Sequence, residues 1–118
     1  MLFLYMVFCH CIADFILQTK FIARAKSIEY WKNNKNAKSK YEFVSVLIVH
    51  SFMWAICIHF PIILLLQYNE TMLFSSIIIN TILHFIIDHL KCNMHLIDLN
   101  QDQTFHLIQI TLTRLIFF

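Results

Sequence analysis

An apolar stretch in the second half of the chain carries a stripe of polar residues, and this stripe constrains the fold more than any other feature. The stretch covers residues 80–91. Within it, Asn80, His84 and Asp88 lie at positions i, i+4 and i+8, so they stack on one face of an α-helix. Ionisable groups inside a membrane are costly and normally face a partner or a cavity. The pattern therefore predicts a membrane helix with one functional polar face.

The composition of the chain agrees with a membrane protein. Hydrophobic residues make up 59% of the 118 residues and charged residues 14%, whereas a soluble domain has about half and about a quarter. The chain contains no glycine, which excludes a glycine-rich phosphate loop. The net charge of +2 is too small to indicate a nucleic-acid partner. Residues 1–118 are expected to form a single domain in the lipid bilayer.

The order of apolar and polar segments predicts four transmembrane helices. They are placed at residues 1–23, 43–66, 72–92 and 102–118. The segment between the first two helices, residues 24–42, carries most of the basic residues and is cytoplasmic by the positive-inside rule. The predicted fold class is therefore an all-α polytopic membrane protein, a four-helix transmembrane bundle with its N-terminus outside. The last helix is short for a span, which needs about 20 residues.

This topology brings six ionisable side chains to a similar depth in the cytoplasmic half of the bundle. They come from all four helices: His10, Asp14, His50, His84, Asp88 and His106. The first helix repeats the pattern of the third, because His10, Asp14 and Gln18 also lie at i, i+4 and i+8. His59 points to nearly the opposite face from His50 and is assigned to packing.

The chemistry of these groups is that of a metal site. Imidazoles and carboxylates on facing helices are ligands for a divalent ion such as Zn²⁺, Mn²⁺ or Fe²⁺. The candidate metal ligands are His10, Asp14, His84, Asp88 and His106. The candidate catalytic groups are His50 and Lys91, and the candidate supporting groups or anion contacts are Gln18, Asp102 and Gln103. A bound metal with an open coordination position activates water, so the first hypothesis is a hydrolase of a lipid or phosphate ester.

Other interpretations of the same residues stay open. Each His–Asp pair also fits an ordinary interhelical hydrogen bond that fixes the register of two helices. A proton-coupled or small-solute transporter would use these groups as a relay, and it is expected to form a homo-oligomer because four short spans enclose little space. A haem-binding bundle with two facing histidines and a non-catalytic phage membrane protein are two further hypotheses.

The combined motifs resemble one known family. They are His10-x3-Asp14-Phe15-x2-Gln18, the lone His50, His84-Phe85-x2-Asp88-x2-Lys91 and Asp102-Gln103-x2-His106. Together they are similar to the pattern of the DUF3307 family, a group of small multi-span membrane proteins in bacteria and their phages. The resemblance covers nearly the whole chain. It implies an integral protein of the bacterial inner membrane and no particular activity, and the chain departs from it in lacking glycine and in its short last span.

Overall fold

The computed structural model describes residues 1–118, and every regular element in it is a helix. The first helix, α1, covers Leu2–Cys11 and continues as a π-helical segment, Ile12–Leu17. Two short helices follow, α2 at Lys20–Ala25 and α3 at Ile28–Lys32. Three long helices complete the chain: α4 at Glu42–Leu65, α5 at Glu70–Cys92 and α6 at Leu99–Phe117. The predicted all-α class is confirmed.

The first helix ends earlier than the sequence predicts. Gln18 leaves the helix with an extended backbone, at a ψ angle of 99°. The Oγ1 atom of Thr19 then accepts a hydrogen bond from the backbone N–H of Ile22 at 3.2 Å and caps the start of α2. The helix predicted at residues 1–23 is therefore interrupted after Leu17, because a threonine N-cap begins a new helix there.

The predicted cytoplasmic loop at residues 24–42 contains α3, and both short helices fold back onto α4. Phe21, Tyr30 and Trp31 form a cluster of edge-to-face aromatic contacts, with ring centroids 5.2–6.5 Å apart. The indole Nε1–H of Trp31 also donates to the backbone carbonyl of Ala25 at 2.7 Å. These contacts hold α2 and α3 together as one folded unit, the α2–α3 hairpin.

Helix α6 begins at Leu99, before the predicted start at residue 102. Asp98 accepts a hydrogen bond from the backbone N–H of Gln101 at 2.8 Å, and the Gln101 side chain accepts one from the backbone N–H of Asp98 at 3.0 Å. This reciprocal capping box fixes the helix start and gives α6 a length of 19 residues.

The four main helices pack in a ring. Helix α4 contacts the first helix and α5, and α6 contacts α5 and the first helix. One end of the interior holds a buried apolar cluster made of Met6, Ala13, Trp54, Ala55, Ile58, Ile62 and Ile110. Of the 24 buried residues, however, 13 are polar or charged. The bundle therefore has a polar interior beside a small apolar core.

Helix α5 is polar inside and apolar outside. Its buried residues are Ser76, Asn80, His84 and Asp88, at the predicted four-residue spacing. Its exposed residues include Phe74, Ile78, Ile82 and Ile86. Helices α4 and α5 are long and apolar enough to span a membrane, whereas α1 with its π-helical segment, Leu2–Leu17, is shorter than a span. The structure thus shows two candidate spans among the four predicted ones.

Candidate metal centre

Asp88 lies at the centre of a buried cluster of histidines. Its carboxylate oxygens are 3.4 Å from Nε2 of His50, 3.8 Å from Nε2 of His84 and 3.8 Å from Nε2 of His106. These imidazoles come from α4, α5 and α6, and all four residues are buried. The polar face of α5 that the sequence predicts therefore contacts α4 and α6 at Asp88.

Asp14 joins the cluster from the first helix. Its Oδ1 atom lies 3.7 Å from Nε2 of His50, and its Oδ2 atom lies 3.4 Å from Nδ1 of His10. Asp14 belongs to the π-helical segment, and such segments are rare and frequently found at functional sites. The i, i+4 contact predicted between His10 and Asp14 is present, whereas Gln18 has left the helix.

Several atoms that face one another in the cluster have no hydrogen-bond partner. They are Asp14 Oδ1, His50 Nε2, His84 Nε2 and His106 Nε2. Buried polar groups are normally hydrogen-bonded, because an unpaired one costs about 1–3 kcal/mol. Ligand atoms lie within 4.8 Å of one another in two groups that share His84, namely Asp14–His50–His84 and His84–Asp88–His106. This unsatisfied set of imidazole and carboxylate atoms has the chemistry of a divalent-metal site.

The spacing of these atoms resembles that of ligands around one ion. Direct hydrogen bonds between nitrogen and oxygen span about 2.7–3.2 Å, but the contacts between Asp88 and its three histidines are 3.4–3.8 Å. Two ligands with bonds of about 2.0–2.1 Å to a tetrahedral Zn²⁺ lie roughly 3.3 Å apart. These contacts are therefore longer than hydrogen bonds and close to the distance between two ligands of one ion.

An aromatic stack orients two of these histidines. The ring of His84 stacks on the ring of Trp54 and on the ring of His106, with both centroid distances at 4.3 Å and interplanar angles of 25° and 21°, and the centroids of Trp54 and His106 are 5.4 Å apart. The stack fixes the planes in which the imidazole nitrogens lie. Such packing holds ligand atoms close to the geometry that binding needs.

His10 is held by two hydrogen bonds at the edge of the cluster. The indole Nε1–H of Trp54 can only donate, so Nδ1 of His10 accepts it, at 2.9 Å. The Nε2 atom of His10 then carries the proton and donates to Oε1 of Gln103 at 3.1 Å. Gln103 in turn donates to Oδ2 of Asp102 at 3.1 Å. His10 thus links α4 to α6, and its role as a metal ligand stays a prediction.

Two lysines border the cluster. The Nζ atom of Lys26 lies 2.6 Å from Oδ2 of Asp88 and 2.8 Å from Oε1 of Gln18, and only 3% of Lys26 is exposed. The Nζ atom of Lys91 lies 2.5 Å from Oδ2 of Asp102. Gln18 therefore reaches the site through Lys26, and Lys91 reaches it through Asp102.

The charges of the cluster leave room for a cation. It contains three carboxylates, on Asp14, Asp88 and Asp102, and two ammonium groups, on Lys26 and Lys91. With neutral imidazoles the sum is one negative charge. A divalent ion would convert this into one positive charge.

His59 lies outside the cluster, as the sequence predicts. Its Nδ1 donates to the backbone carbonyl of Ala55 at 2.7 Å, and its Nε2 accepts from the hydroxyl of Ser76 at 2.7 Å. Both ring nitrogens are therefore satisfied, and His59 ties α4 to α5.

The whole chain matches one family profile. Residues 2–118 match the family described as Protein of unknown function (DUF3307). The chain belongs to this family. The resemblance predicted from the motifs is thereby confirmed, and the DUF3307 match includes every residue of the cluster. No curated protein and no solved structure matches the sequence.

Sequence reasoning missed two members of this DUF3307 site, Lys26 and Trp54. Trp54 follows His50 by four residues on α4, and that spacing alone was a signal that both share a face. Lys26 is one of many bases in a polar segment, and nothing in the sequence distinguishes it from its neighbours. Its burial depends on how the α2–α3 hairpin folds back.

Proposed function

We propose that this chain is an integral membrane protein that binds one divalent metal ion at the Asp88 cluster and hydrolyses a lipid or phosphate ester there. One observation supports the metal above all others. Buried ligand atoms of Asp14, His50, His84 and His106 face one another around Asp88 without hydrogen-bond partners. The proposed ligands are drawn from these five residues.

The distribution of polar and apolar residues supports four spans. Only 17% of the apolar window of α5 is buried, so α5 is unlike the core helix of a soluble protein. Helix α6 follows the same inverted pattern, because Asp102, His106 and Gln109 are buried while Phe105 and Leu112 are exposed. Both patterns fit a solvent of lipid, in which polar groups turn inward.

The basic segment supports the orientation. The α2–α3 hairpin and the residues after it carry most of the lysines and arginines, and short loops rich in these residues stay in the cytoplasm. The cluster lies beside this hairpin, so the proposed site opens towards the inner leaflet. The proposed location is the bacterial inner membrane.

The surrounding residues support hydrolysis. A divalent ion in this position would supply Lewis-acid activation of a water molecule. His50 lies next to both Asp14 and Asp88, so it is placed to bind the ion or to move a proton at Nε2. Lys26 and Lys91 supply ammonium groups on two sides of the cluster, where they would contact the oxygens of a phosphate.

Metal analysis of the purified protein in detergent tests the proposal. Zn²⁺, Mn²⁺ and Fe²⁺ are loaded separately and the excess is removed, and we expect one equivalent per chain for at least one of them. The double variant His84→Ala/Asp88→Asn loses that ion, whereas the control His59→Gln keeps it. A wild-type chain that takes up no stoichiometric metal would end the metal proposal.

A separate assay tests the reaction. Phosphatidic acid in mixed micelles is offered to the loaded protein, and release of inorganic phosphate or of fatty acid is measured. We expect activity that disappears with His84→Ala/Asp88→Asn. If the protein binds stoichiometric metal but cleaves neither ester, the metal-binding proposal stands and the hydrolase proposal is rejected.

A proton-coupled or small-solute transporter is the second candidate, because polar residues continue beyond the cluster. Asn80, Gln109 and Thr113 form hydrogen bonds in the interior, and His59 and Ser76 follow in the same direction. Such a chain of polar groups is typical of a membrane pathway. Flux into liposomes that needs Asp14 and Asp88 but no metal would favour transport over hydrolysis.

A further inference from the structure

We infer that the site receives an anionic membrane lipid sideways, with its hydrocarbon chain in a groove between the first helix and α4. The inference rests on the proposed function, because the metal site is what would receive the polar headgroup of the lipid. Its test measures neither metal binding nor hydrolysis, so the lipid inference and the proposed function can fail independently.

The groove begins at the outer surface of the bundle. A cavity of about 120 Å³ is lined by seven hydrophobic residues and His50. Leu17, Val49 and Met53 line it and are also half exposed on the outside of the bundle, so its mouth opens there. A second cavity of about 380 Å³ shares Ile22 and Val49 with the first and extends it along α4. Together they form one apolar groove, called here the α4 groove.

The inner end of the α4 groove adjoins the metal cluster. His50 lines the groove, and its Nε2 atom lies 3.4 Å from Oδ2 of Asp88. The Nζ atom of Lys26 lies 2.6 Å from the same oxygen. A molecule lying in the groove would therefore present one end to His50, and the ammonium group of Lys26 lies behind it on the shared carboxylate oxygen.

Lys26 gives that end a preference for negative charge. An ammonium group has three donors, and Lys26 uses two of them on Asp88 and Gln18. The third donor forms no hydrogen bond within the chain, so an anionic oxygen that reaches Lys26 would accept from it. Because Lys26 is buried, its field is screened less by water than that of a surface lysine.

The position of the groove favours a lipid over a water-soluble anion. Phe21 lines its outer part and belongs to the cluster with Tyr30 and Trp31, and aromatic residues of this kind lie at the headgroup level of a bilayer. A hydrocarbon chain that enters the groove beside Val49 would move from the apolar bilayer into contact with an equally apolar protein surface. Its headgroup would remain at the depth of Lys26, at the cytoplasmic interface.

Trp54 offers a direct probe of the groove. It lies at the wall of the inner cavity and has no exposed surface. The chain has two tryptophans, so Trp31→Phe leaves Trp54 as the only one. In vesicles of phosphatidylcholine with brominated acyl chains, contact quenching of Trp54 fluorescence reports a chain inside the groove.

The expected result is quenching that depends on groove shape. In the Trp31→Phe background, Val49→Phe fills the groove and is expected to remove most of the quenching. Ile48→Phe is the matched control, since Ile48 is the exposed neighbour on the same helix and does not line the groove. Equal quenching of Trp54 in both variants, or none in the parent, would overturn the inference.

The headgroup is tested with brominated lipid as a minor component. Brominated phosphatidic acid is expected to quench about fivefold more effectively than brominated phosphatidylcholine, as a lysine near the surface is worth about that factor for an anionic lipid. Lys26→Met removes the preference, Lys26→Arg keeps it, and Lys38→Met in the exposed loop changes nothing. If brominated phosphatidic acid quenches no better than brominated phosphatidylcholine, the proposal of an anionic lipid is overturned. Binding of inorganic phosphate to the wild-type chain without any preference for brominated phosphatidic acid assigns the polar end to a free anion and overturns the lipid as well.

Discussion

The Nζ atom of Lys26 lies 2.6 Å from Oδ2 of Asp88, although the two residues are 62 positions apart in the chain and both are buried. The pair connects the α2–α3 hairpin to the polar face of α5. It also places an ammonium group on the carboxylate where three histidines converge. An ammonium group and a divalent ion would neutralise the same charge, so the pair would link folding of the hairpin to occupation of the proposed metal site.

The first prediction concerns the stability of this pair. Asp88→Asn leaves the ammonium of Lys26 buried without a counter-charge, which is expected to cost about 3–5 kcal/mol of unfolding free energy. Lys26→Met/Asp88→Asn removes both charges and is expected to cost much less than the sum of the single variants. A double-mutant cycle of unfolding in detergent measures the difference. Additive effects would show that the two groups do not interact.

The second prediction concerns metal affinity. Two unit charges about 4 Å apart repel by about 4 kcal/mol at an effective dielectric constant of 20, although Lys26 recovers much of this by moving away. We expect about 1.4 kcal/mol of this repulsion to remain. Lys26→Met is therefore expected to tighten metal binding roughly tenfold, since a tenfold change in affinity corresponds to about 1.4 kcal/mol. Competition titration with a chelator measures the affinity, and Lys38→Met is the control. Unchanged or weaker binding in Lys26→Met would rule out the competition.

The third prediction concerns the number of spans. If α6 crosses the bilayer, a reporter fused after Phe118 lies on the side opposite the basic segment. Alkaline phosphatase fused there is expected to be active in bacteria, as is a fusion in the turn at residues 67–69. Green fluorescent protein inserted at residues 33–36 is expected to fluoresce in the cytoplasm. A cytoplasmic C-terminus would mean that α6 does not span.

The polar face of the bundle could be predicted from the sequence because its residues are isolated in apolar segments at a helical spacing. Asn80, His84 and Asp88 are spaced four residues apart, which places them on one face of a helix. The same reasoning brought His50 and His106 to the cluster from other helices. Helical periodicity and depth were sufficient for these residues.

The remaining parts of the site depend on tertiary structure. Lys26 lies in a segment whose charges suit a solvated loop, and it is buried only because the α2–α3 hairpin folds onto α4. The π-helical segment around Asp14 has no signature in the sequence either. The helix break at Gln18 could have been anticipated, since Thr19 is a good N-cap, but the apolar residues on both sides favoured one continuous span.

The last prediction concerns Asn80, which holds α6 in register with α5. Its Oδ1 atom accepts hydrogen bonds from Nε2 of Gln109 at 2.8 Å and from the hydroxyl of Thr113 at 3.0 Å. Asn80→Leu leaves these donors with fewer partners and is expected to cost about 1–3 kcal/mol of unfolding free energy. A slip of α6 would also move His106 away from Asp88, so metal affinity is expected to fall together with stability.

The sign of this effect separates packing from hydropathy. Leucine is favoured over asparagine in lipid, so hydropathy alone predicts that Asn80→Leu stabilises the bundle. Ile79→Leu on the exposed face of α5 is the control and is expected to change the unfolding free energy little. Unfolding of both variants in detergent, with and without the metal, gives the comparison. A stabilised Asn80→Leu protein that binds metal normally would show that the register of α6 is set by other contacts, because neither donor on α6 would then need its partner on α5.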